Sequence, residues 1–260
     1  MINRNGSKWS REETILAFDL YCRISFCKIS KLNPEIKELA EMLGRTPSSV
    51  ALKMQNLAHF DPELKKRNVK AMAHGSKLDQ EVFKEFCNDW TELAYQAYLI
   101  KANYQGVLHQ DVLDSIDIEK LHCGEDRERL IKTRVGQYFF RMSVLNSYRG
   151  KCCVTGMKMP ELLVASHIKP WSECNERTER TNPSNGLCLN ALHDKAFDKG
   201  LITLDCDYKV IISRELKNVS MDEMTKEWFY GYSGKKIMLP DKFIPGREFI
   251  EYHNDMIFRG

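Results

Sequence analysis

The sequence predicts an α+β fold, with a helical N-terminal domain followed by a C-terminal domain of two short strands and a helix. Apolar residues recur at three- and four-residue spacing through much of the first hundred residues, which is typical of amphipathic helices. After residue 150, two short apolar runs precede a short helical pattern. We expect a helical domain over 1–98, an acidic connector over 99–126 and the C-terminal domain over 127–260.

Three short helices are expected at the N-terminus. The first runs from about Trp9 to Lys28, because Ser10 with two following glutamates is a helix-start signal and an apolar stripe continues from there. A second helix follows Asn33-Pro34, where proline suits the first helical position, and stops at Gly44. A third opens at Thr46, whose hydroxyl suits an N-cap.

The second and third helices have the layout of a helix-turn-helix, with small Ala40 where they cross, Gly44 at the turn and Val50 in the core. Together with Trp9, the region resembles a Myb-like tri-helical DNA-binding domain. The resemblance implies that the exposed face of the third helix contacts DNA through Ser48, Ser49, Lys53 and Asn56. The alternative is a tri-helical bundle that binds protein or braces the next domain.

Charge is segregated along the chain although the formal net charge is only +3. Residues 1–70 carry 13 basic and 8 acidic side chains, whereas 71–126 carry 4 and 11. Residues 127–158 carry 8 basic side chains against one acidic, and 159–260 carry 14 against 16. Two basic segments around an acidic one favour a two-module nucleic-acid binder, because lysine and arginine contacts to phosphates supply most non-specific affinity.

Composition excludes several classes of protein. A hydrophobic fraction of 43% and a charged fraction of 29% are typical of a globular chain. No apolar run is long enough to cross a membrane and the first ten residues are polar, so a cytoplasmic protein is expected. Nine scattered cysteines without a C-x-x-C pair favour free buried thiols over a zinc ribbon.

The C-terminal domain begins with a long helix expected from Arg127 to Tyr148, whose basic face is a candidate phosphate contact. An apolar run then reads as a strand ending at His167. A second strand follows the loop at Asn185, and a short helix carrying His193 closes at Gly200.

These segments resemble the HNH nuclease family, which has the ββα-metal fold, and in particular its branch of putative bacterial restriction endonucleases. The resemblance lies in four ordered motifs: Cys153-Val154-Thr155-Gly156, Ser166-His167-Ile168-Lys169-Pro170-Trp171, Asn182-Pro183-x-Asn185-Gly186-Leu187 and His193-Asp194-Lys195-Ala196-Phe197-Asp198-x-Gly200-Leu201. With flanking similarity, it covers about residues 127–260.

The resemblance implies roles for three catalytic residues. His167 would be the general base that activates water, and His193 would bind one divalent cation, with Asp194 and Asp198 as further candidate ligands. Asn185 would brace the loop that orients His167. The resemblance also makes Arg141, Lys169 and Lys195 candidates for contacts to the DNA backbone.

One residue departs from the family pattern. Many HNH nucleases have a metal-binding Asp or His directly before the general base, where this chain has Ser166, and a hydroxyl is a weak ligand. Oxygen-rich coordination favours Mg²⁺ or Mn²⁺ as the working ion, while imidazole also admits Ni²⁺, Co²⁺ or Zn²⁺.

The sequence therefore predicts a metal-dependent endonuclease that hydrolyses double-stranded DNA, with a restriction or phage-defence role implied by the resemblance. Two alternatives stay open: a DNA-binding regulator with a catalytically silent HNH fold, and a nuclease acting on RNA or structured junctions. Because cutting both strands with one HNH site often requires two copies, a homodimer is one arrangement to test.

Overall fold

The structure is a computed structural model that describes residues 6–61, 64, 75–105 and 125–260. The chain divides into two compact units. Unit 1 comprises 1–143 and 176–182, and unit 2 comprises 144–175 and 183–260. Most of the expected acidic connector, from 106 to 124, lies outside the described residues.

The division between the units, after residue 143, falls within a helix. The ring of Phe139 stacks on that of Trp90, with 6.2 Å between centroids, and Val135 is also buried. The first part of this helix therefore shares the core of unit 1.

Unit 1 is helical in its described part. Its helices are α1 (Arg11–Arg23), α2 (Pro34–Leu43), α3 (Pro47–Ala58), α4 (Lys77–Phe86), α5 (Trp90–Gln105) and the greater part of α6 (Glu125–Ser147). The first three lie where the sequence predicts helices. However, α1 ends at Arg23 because Ile24 is extended, and the expected last turn is a separate 3₁₀ helix, Phe26–Lys28.

Local capping chemistry explains where the first helices begin and end. Ser10 and Glu13 form a reciprocal capping box at the start of α1. Gly44 ends α2 with φ +65°, a left-handed conformation that glycine adopts without strain. The Thr46 hydroxyl then accepts a hydrogen bond from the Ser49 amide and opens α3.

Unit 2 contains two small antiparallel sheets with helices around them. Its elements are β1 (Leu163–His167), β2 (Gly186–Asn190), α7 (Ala191–Asp198), β3 (Ile202–Leu204), β4 (Val210–Ile212), α8 (Arg214–Lys217), α9 (Glu223–Tyr230) and α10 (Arg247–Met256). β1 pairs with β2, and β3 pairs with β4. The hairpin β1–β2 and the helix α7 match the predicted order of two strands and a helix.

The helix α7 packs against both β1 and β2, and α10 packs against β3. His253 on α10 is buried, stacks on Phe197 with centroids 3.8 Å apart and donates from Nε2 to the Phe197 carbonyl. Burial lowers the pKa of His253 to about 4, so this imidazole is neutral near pH 7. Among the described residues, no helix is both long and apolar enough to cross a membrane.

Candidate functional site

His167 is the last residue of β1. It lies opposite Gly186 in the strand register and is half-buried. Its ring meets that of Trp171 edge to face, with 5.6 Å between centroids and an interplanar angle of 89°. The strand end therefore holds an imidazole that retains access to solvent and is packed on one side by an indole.

Asn185 clamps the backbone that directly follows His167. Its side-chain oxygen accepts from the Lys169 amide at 2.8 Å, and its side-chain NH₂ donates to the Lys169 carbonyl at 3.1 Å. The Asn185 carbonyl also accepts from the Ile168 amide at 2.9 Å. Because Asn185 is fully buried, these bonds are protected from competing water. This geometry is what a loop-bracing asparagine requires.

The same clamp includes a thiol. Cys174 is buried, and its sulfur donates to the Lys169 carbonyl at 3.3 Å while accepting from the Asn185 NH₂ at 3.2 Å. Sequence reasoning counted this cysteine only as a buried thiol. A polar contact of this kind has no signature in a single sequence, since the loop brings residues 169, 174 and 185 together.

His193 lies in the first turn of α7 and is buried, with both ring nitrogens next to oxygen acceptors. Nδ1 is 3.0 Å from the side-chain oxygen of Asn190, which caps the helix, and Nε2 donates to the carbonyl of Trp228 at 3.0 Å. The rings of Trp228, Phe229 and Tyr232 lie within 6.2 Å of the imidazole. Burial lowers the pKa of His193, so its neutral form is favoured.

The residues of this arrangement do not fit a bound metal ion. Within the described residues, no group of three or more His, Cys, Asp or Glu side chains is placed to hold one. Nε2 of His193 donates to the Trp228 carbonyl and Nδ1 faces the Asn190 side-chain oxygen, whereas a ligating nitrogen needs its lone pair directed at the metal. The hydroxyl of Ser166 is buried and has no hydrogen-bond partner among the described residues, but one hydroxyl is a weak ligand.

The two candidate aspartates lie on the same helix as His193. Partial burial and the neighbouring charge of Asp194 both raise the pKa of Asp198. Two neighbouring carboxylates attract cations, but among the described residues Asp194 and Asp198 have no third His, Cys, Asp or Glu placed with them to complete a metal site.

The predicted DNA contacts of unit 1 divide into exposed and buried side chains. Ser48 is exposed, and Ser49 and Asn56 are half-buried, so these three stay accessible on α3. Arg141 is exposed on α6. Their contacts with DNA stay predictions.

The expected exposure of Lys53 is wrong. Its side chain is buried, pairs with Asp79 at 2.5 Å and lies 4.8 Å from the ring centroid of Trp9. A buried charge needs a partner, and Asp79 on α4 supplies it. Lys53 follows Val50 by three residues and precedes Leu57 by four, and this spacing places it on the core side of α3.

The exposed face of α3 includes two residues that sequence reasoning missed. Leu52 is 43% exposed and Gln55 is half-buried, at helical spacing from Ser48 and Asn56. The signal in the sequence was Leu52, an apolar residue at a helical position that is expected to face solvent. Together these side chains offer an amide and an apolar group next to the predicted hydroxyl contacts.

The two predicted cationic contacts of unit 2 lie in different settings. Lys169 is half-buried, and its ammonium is 5.1 Å from the centroid of the Tyr252 ring. Lys195 is exposed on α7. Contacts between either lysine and phosphate stay predictions.

The hairpin β1–β2 is followed by the helix α7, with histidine at the end of the first strand, asparagine before the second and histidine on the helix. Residues 152–205, about a fifth of the chain, match a family model described as HNH endonuclease. No curated protein matches the chain. The match supports the HNH resemblance for this segment and indicates nuclease activity with DNA as the implied substrate.

Proposed function

We propose that this protein is an endonuclease that hydrolyses phosphodiester bonds of double-stranded DNA. The observation that carries this proposal is the clamp by which Asn185 fixes the backbone after His167, within the segment that matches the HNH endonuclease family. Hydrolysis needs a base held in one orientation beside the attacking water. A strand end fixed by three hydrogen bonds provides such a position.

In the proposed reaction, His167 accepts a proton from water as the water oxygen attacks phosphorus. The new P–O bond forms while the bond to the 3′ oxygen breaks, and the departing 3′ oxygen takes up a proton from solvent, which leaves 5′ phosphate and 3′ hydroxyl ends. The edge-to-face contact with Trp171 limits rotation of the imidazole. Asn185 is a positioning residue in this scheme, because it contacts the backbone of residues 168 and 169 and not the reacting atoms.

The helices α2 and α3 are proposed to act as a helix-turn-helix-like module that positions the duplex. Ser48, Ser49 and Asn56 supply polar groups on the accessible face of α3, with Arg141, Lys169 and Lys195 as further backbone contacts. Lys53 is not part of this surface, because it is buried against Asp79.

The finer expectations belong to the same proposal. Dependence on Mg²⁺ or Mn²⁺ follows from the family resemblance and not from the geometry of His193, so no step of the reaction above is assigned to a metal. Restriction or phage defence is the proposed biological role. A homodimer stays a prediction, and the proposal does not require one.

A cleavage assay on supercoiled plasmid tests the proposal. Purified protein is incubated with methylated and unmethylated plasmid, with Mg²⁺, with Mn²⁺ and with EDTA. Nicked or linear product is expected from the wild type with metal and not from His167→Ala. Equal cutting by His167→Ala, with a purified second batch as control for contaminating nuclease, would refute the general-base role. Preference for one plasmid would support a restriction role.

A DNA-binding protein without turnover is the second candidate. The observation that favours it is that Nε2 of His193 donates to the Trp228 carbonyl while Nδ1 faces the Asn190 oxygen, so both ring nitrogens point at protein oxygens. Duplex binding without cleavage of plasmid, RNA or branched junctions in any metal would select this candidate. Cleavage of RNA or junctions in preference to plasmid would select a nuclease of different substrate class.

A further inference from the structure

The helix α6 carries three arginines at seven-residue intervals along one side. Arg127, Arg134 and Arg141 are all exposed. Seven residues make just under two helical turns, so each arginine is rotated by only about 20° from the one before. At a rise of about 1.5 Å per residue, the three span roughly 21 Å of helix axis within about 40° of arc. We call these three residues the arginine row.

Two acidic side chains close to the row have partners outside it. Between residues 127 and 158 the one acidic residue is Glu128, whose carboxylate accepts a hydrogen bond from the Tyr95 hydroxyl at 3.0 Å. Glu92 pairs with Lys132, which projects from another side of α6. Arg134 donates to the neutral side-chain oxygen of Gln137 at 3.1 Å, and this contact leaves its charge in place.

A straight row of cations fits a rigid polyanion. Duplex DNA carries about one negative charge per 1.7 Å of axis, so roughly twelve phosphate charges lie along the 21 Å that the row spans. Arginine is well suited to phosphate because its planar guanidinium donates two parallel hydrogen bonds. Proteins that bind single strands rely on several stacked aromatics, whereas the one exposed aromatic among the described side chains of α6 is Tyr138, at 43% exposure and about 20° beyond Arg127 around the axis.

We infer that the arginine row contacts the phosphate backbone of the duplex substrate over two or more turns of α6. The inference rests on the proposed function, and it adds Arg127 and Arg134 to the DNA surface of unit 1. These contacts give affinity and register and carry no base specificity, because phosphates are the same for every sequence.

The salt dependence of duplex binding measures the number of these contacts. Affinity of the full chain for a duplex of about 25 base pairs is measured between 50 and 300 mM salt without divalent metal, for wild type, Arg134→Gln and the triple glutamine variant of the row. Each phosphate contact contributes about 0.9 to the slope of log K against log salt. The slope is therefore expected to fall by about 0.9 for the single variant and by about 2.7 for the triple variant.

Arg129 provides the matched control. It is exposed on the same helix, about 200° around the axis from Arg127, so Arg129→Gln removes the same charge from the opposite side. The slope of Arg129→Gln is expected to equal that of wild type. Arg134→Lys is expected to keep the wild-type slope as well, because lysine preserves the charge, and this separates lost charge from lost structure.

The outcomes separate the row from the proposed function. If the salt slopes of the row variants equal that of wild type, or if the slope falls equally in Arg129→Gln and Arg134→Gln, the role of the arginine row is overturned. Plasmid cleavage by the wild type would still support the nuclease assignment. The same titration is repeated with a single-stranded oligonucleotide of the same length. A fall in slope that is seen with the single strand and not with the duplex would overturn the choice of duplex DNA. A wild type that neither binds nor cleaves duplex would overturn both.

Discussion

Replacement of Asn185 tests how the structure orients the base. Asn185→Ala removes the side-chain bonds to the Lys169 amide and carbonyl, at 2.8 and 3.1 Å. At about 1 kcal/mol of net stabilisation for each bond, the loop after His167 loses roughly 2 kcal/mol. If that energy selects the productive loop position, the productive fraction falls about thirtyfold, since about 1.4 kcal/mol corresponds to a factor of ten.

The assay is the initial rate of plasmid nicking with enzyme in excess, at a temperature where circular dichroism shows the variant fully folded. We expect the maximal rate to fall about thirtyfold and the concentration for half-maximal rate to stay near that of wild type, because Asn185 does not contact DNA in the proposal. Asn185→Asp should also be slow, since it keeps the acceptor for the Lys169 amide but places an oxygen against the Lys169 carbonyl.

Asn254 supplies a control of the same residue type in the same unit. Its NH₂ donates to the Leu204 carbonyl at 3.0 Å and its oxygen accepts from the Thr203 hydroxyl at 2.6 Å. Asn254→Ala should therefore lower the free energy of unfolding by about as much as Asn185→Ala, while the nicking rate of the folded enzyme stays unchanged. Equal rate losses in the two alanine variants, or a wild-type rate in folded Asn185→Ala, would refute the positioning role.

Three further predictions concern stability, pH and DNA binding. Lys53→Met should lower the free energy of unfolding by about 3–5 kcal/mol in urea titrations, because it leaves the buried carboxylate of Asp79 without its cation. The double variant Lys53→Met with Asp79→Leu should recover most of that loss. A small effect of the single variant would contradict the buried ion pair. The free energy of unfolding of the wild type should fall by about 3 kcal/mol as pH falls from 6.5 to about 4, because His253 takes up a proton near pH 6.5 in the unfolded chain but stays neutral down to about pH 4 in the folded protein. A His253→Gln variant whose stability has the same pH dependence would contradict this. Ser48→Ala with Asn56→Ala should weaken duplex binding about tenfold, or ~1.4 kcal/mol, in an anisotropy titration, and an unchanged affinity would show that α3 does not face DNA.

Local signals predicted several helices and strands of each unit. Pro34 and Gly44 bound α2, Thr46 caps α3, and the apolar run before His167 forms β1 as expected. These features depend on a few adjacent residues, and the capping and turn chemistry involved is readable from one sequence. The small elements after Gly200 were not predicted, because three-residue strands and a four-residue helix carry too little periodicity.

Contacts between distant residues explain what the sequence could not show. Lys53 is buried because Asp79, 26 residues later, neutralises it, and no local pattern reveals a partner at that distance. Likewise the Trp228 carbonyl reaches His193 from 35 residues away. Ordered motifs singled out His167, Asn185 and His193, and their catalytic roles stay predictions, whereas the hydrogen bonds of the Asn185 and His193 side chains required the fold.

Chemical rescue of the variant that lacks the imidazole tests whether His167 acts as the base in DNA hydrolysis. His167→Gly is incubated with supercoiled plasmid with and without added imidazole, beside wild type and with duplex binding measured on the same protein. We expect normal duplex binding, no nicking without imidazole, and nicking that rises with imidazole concentration and with the fraction of its neutral form. Nicking by His167→Gly at the wild-type rate without imidazole would contradict the assignment.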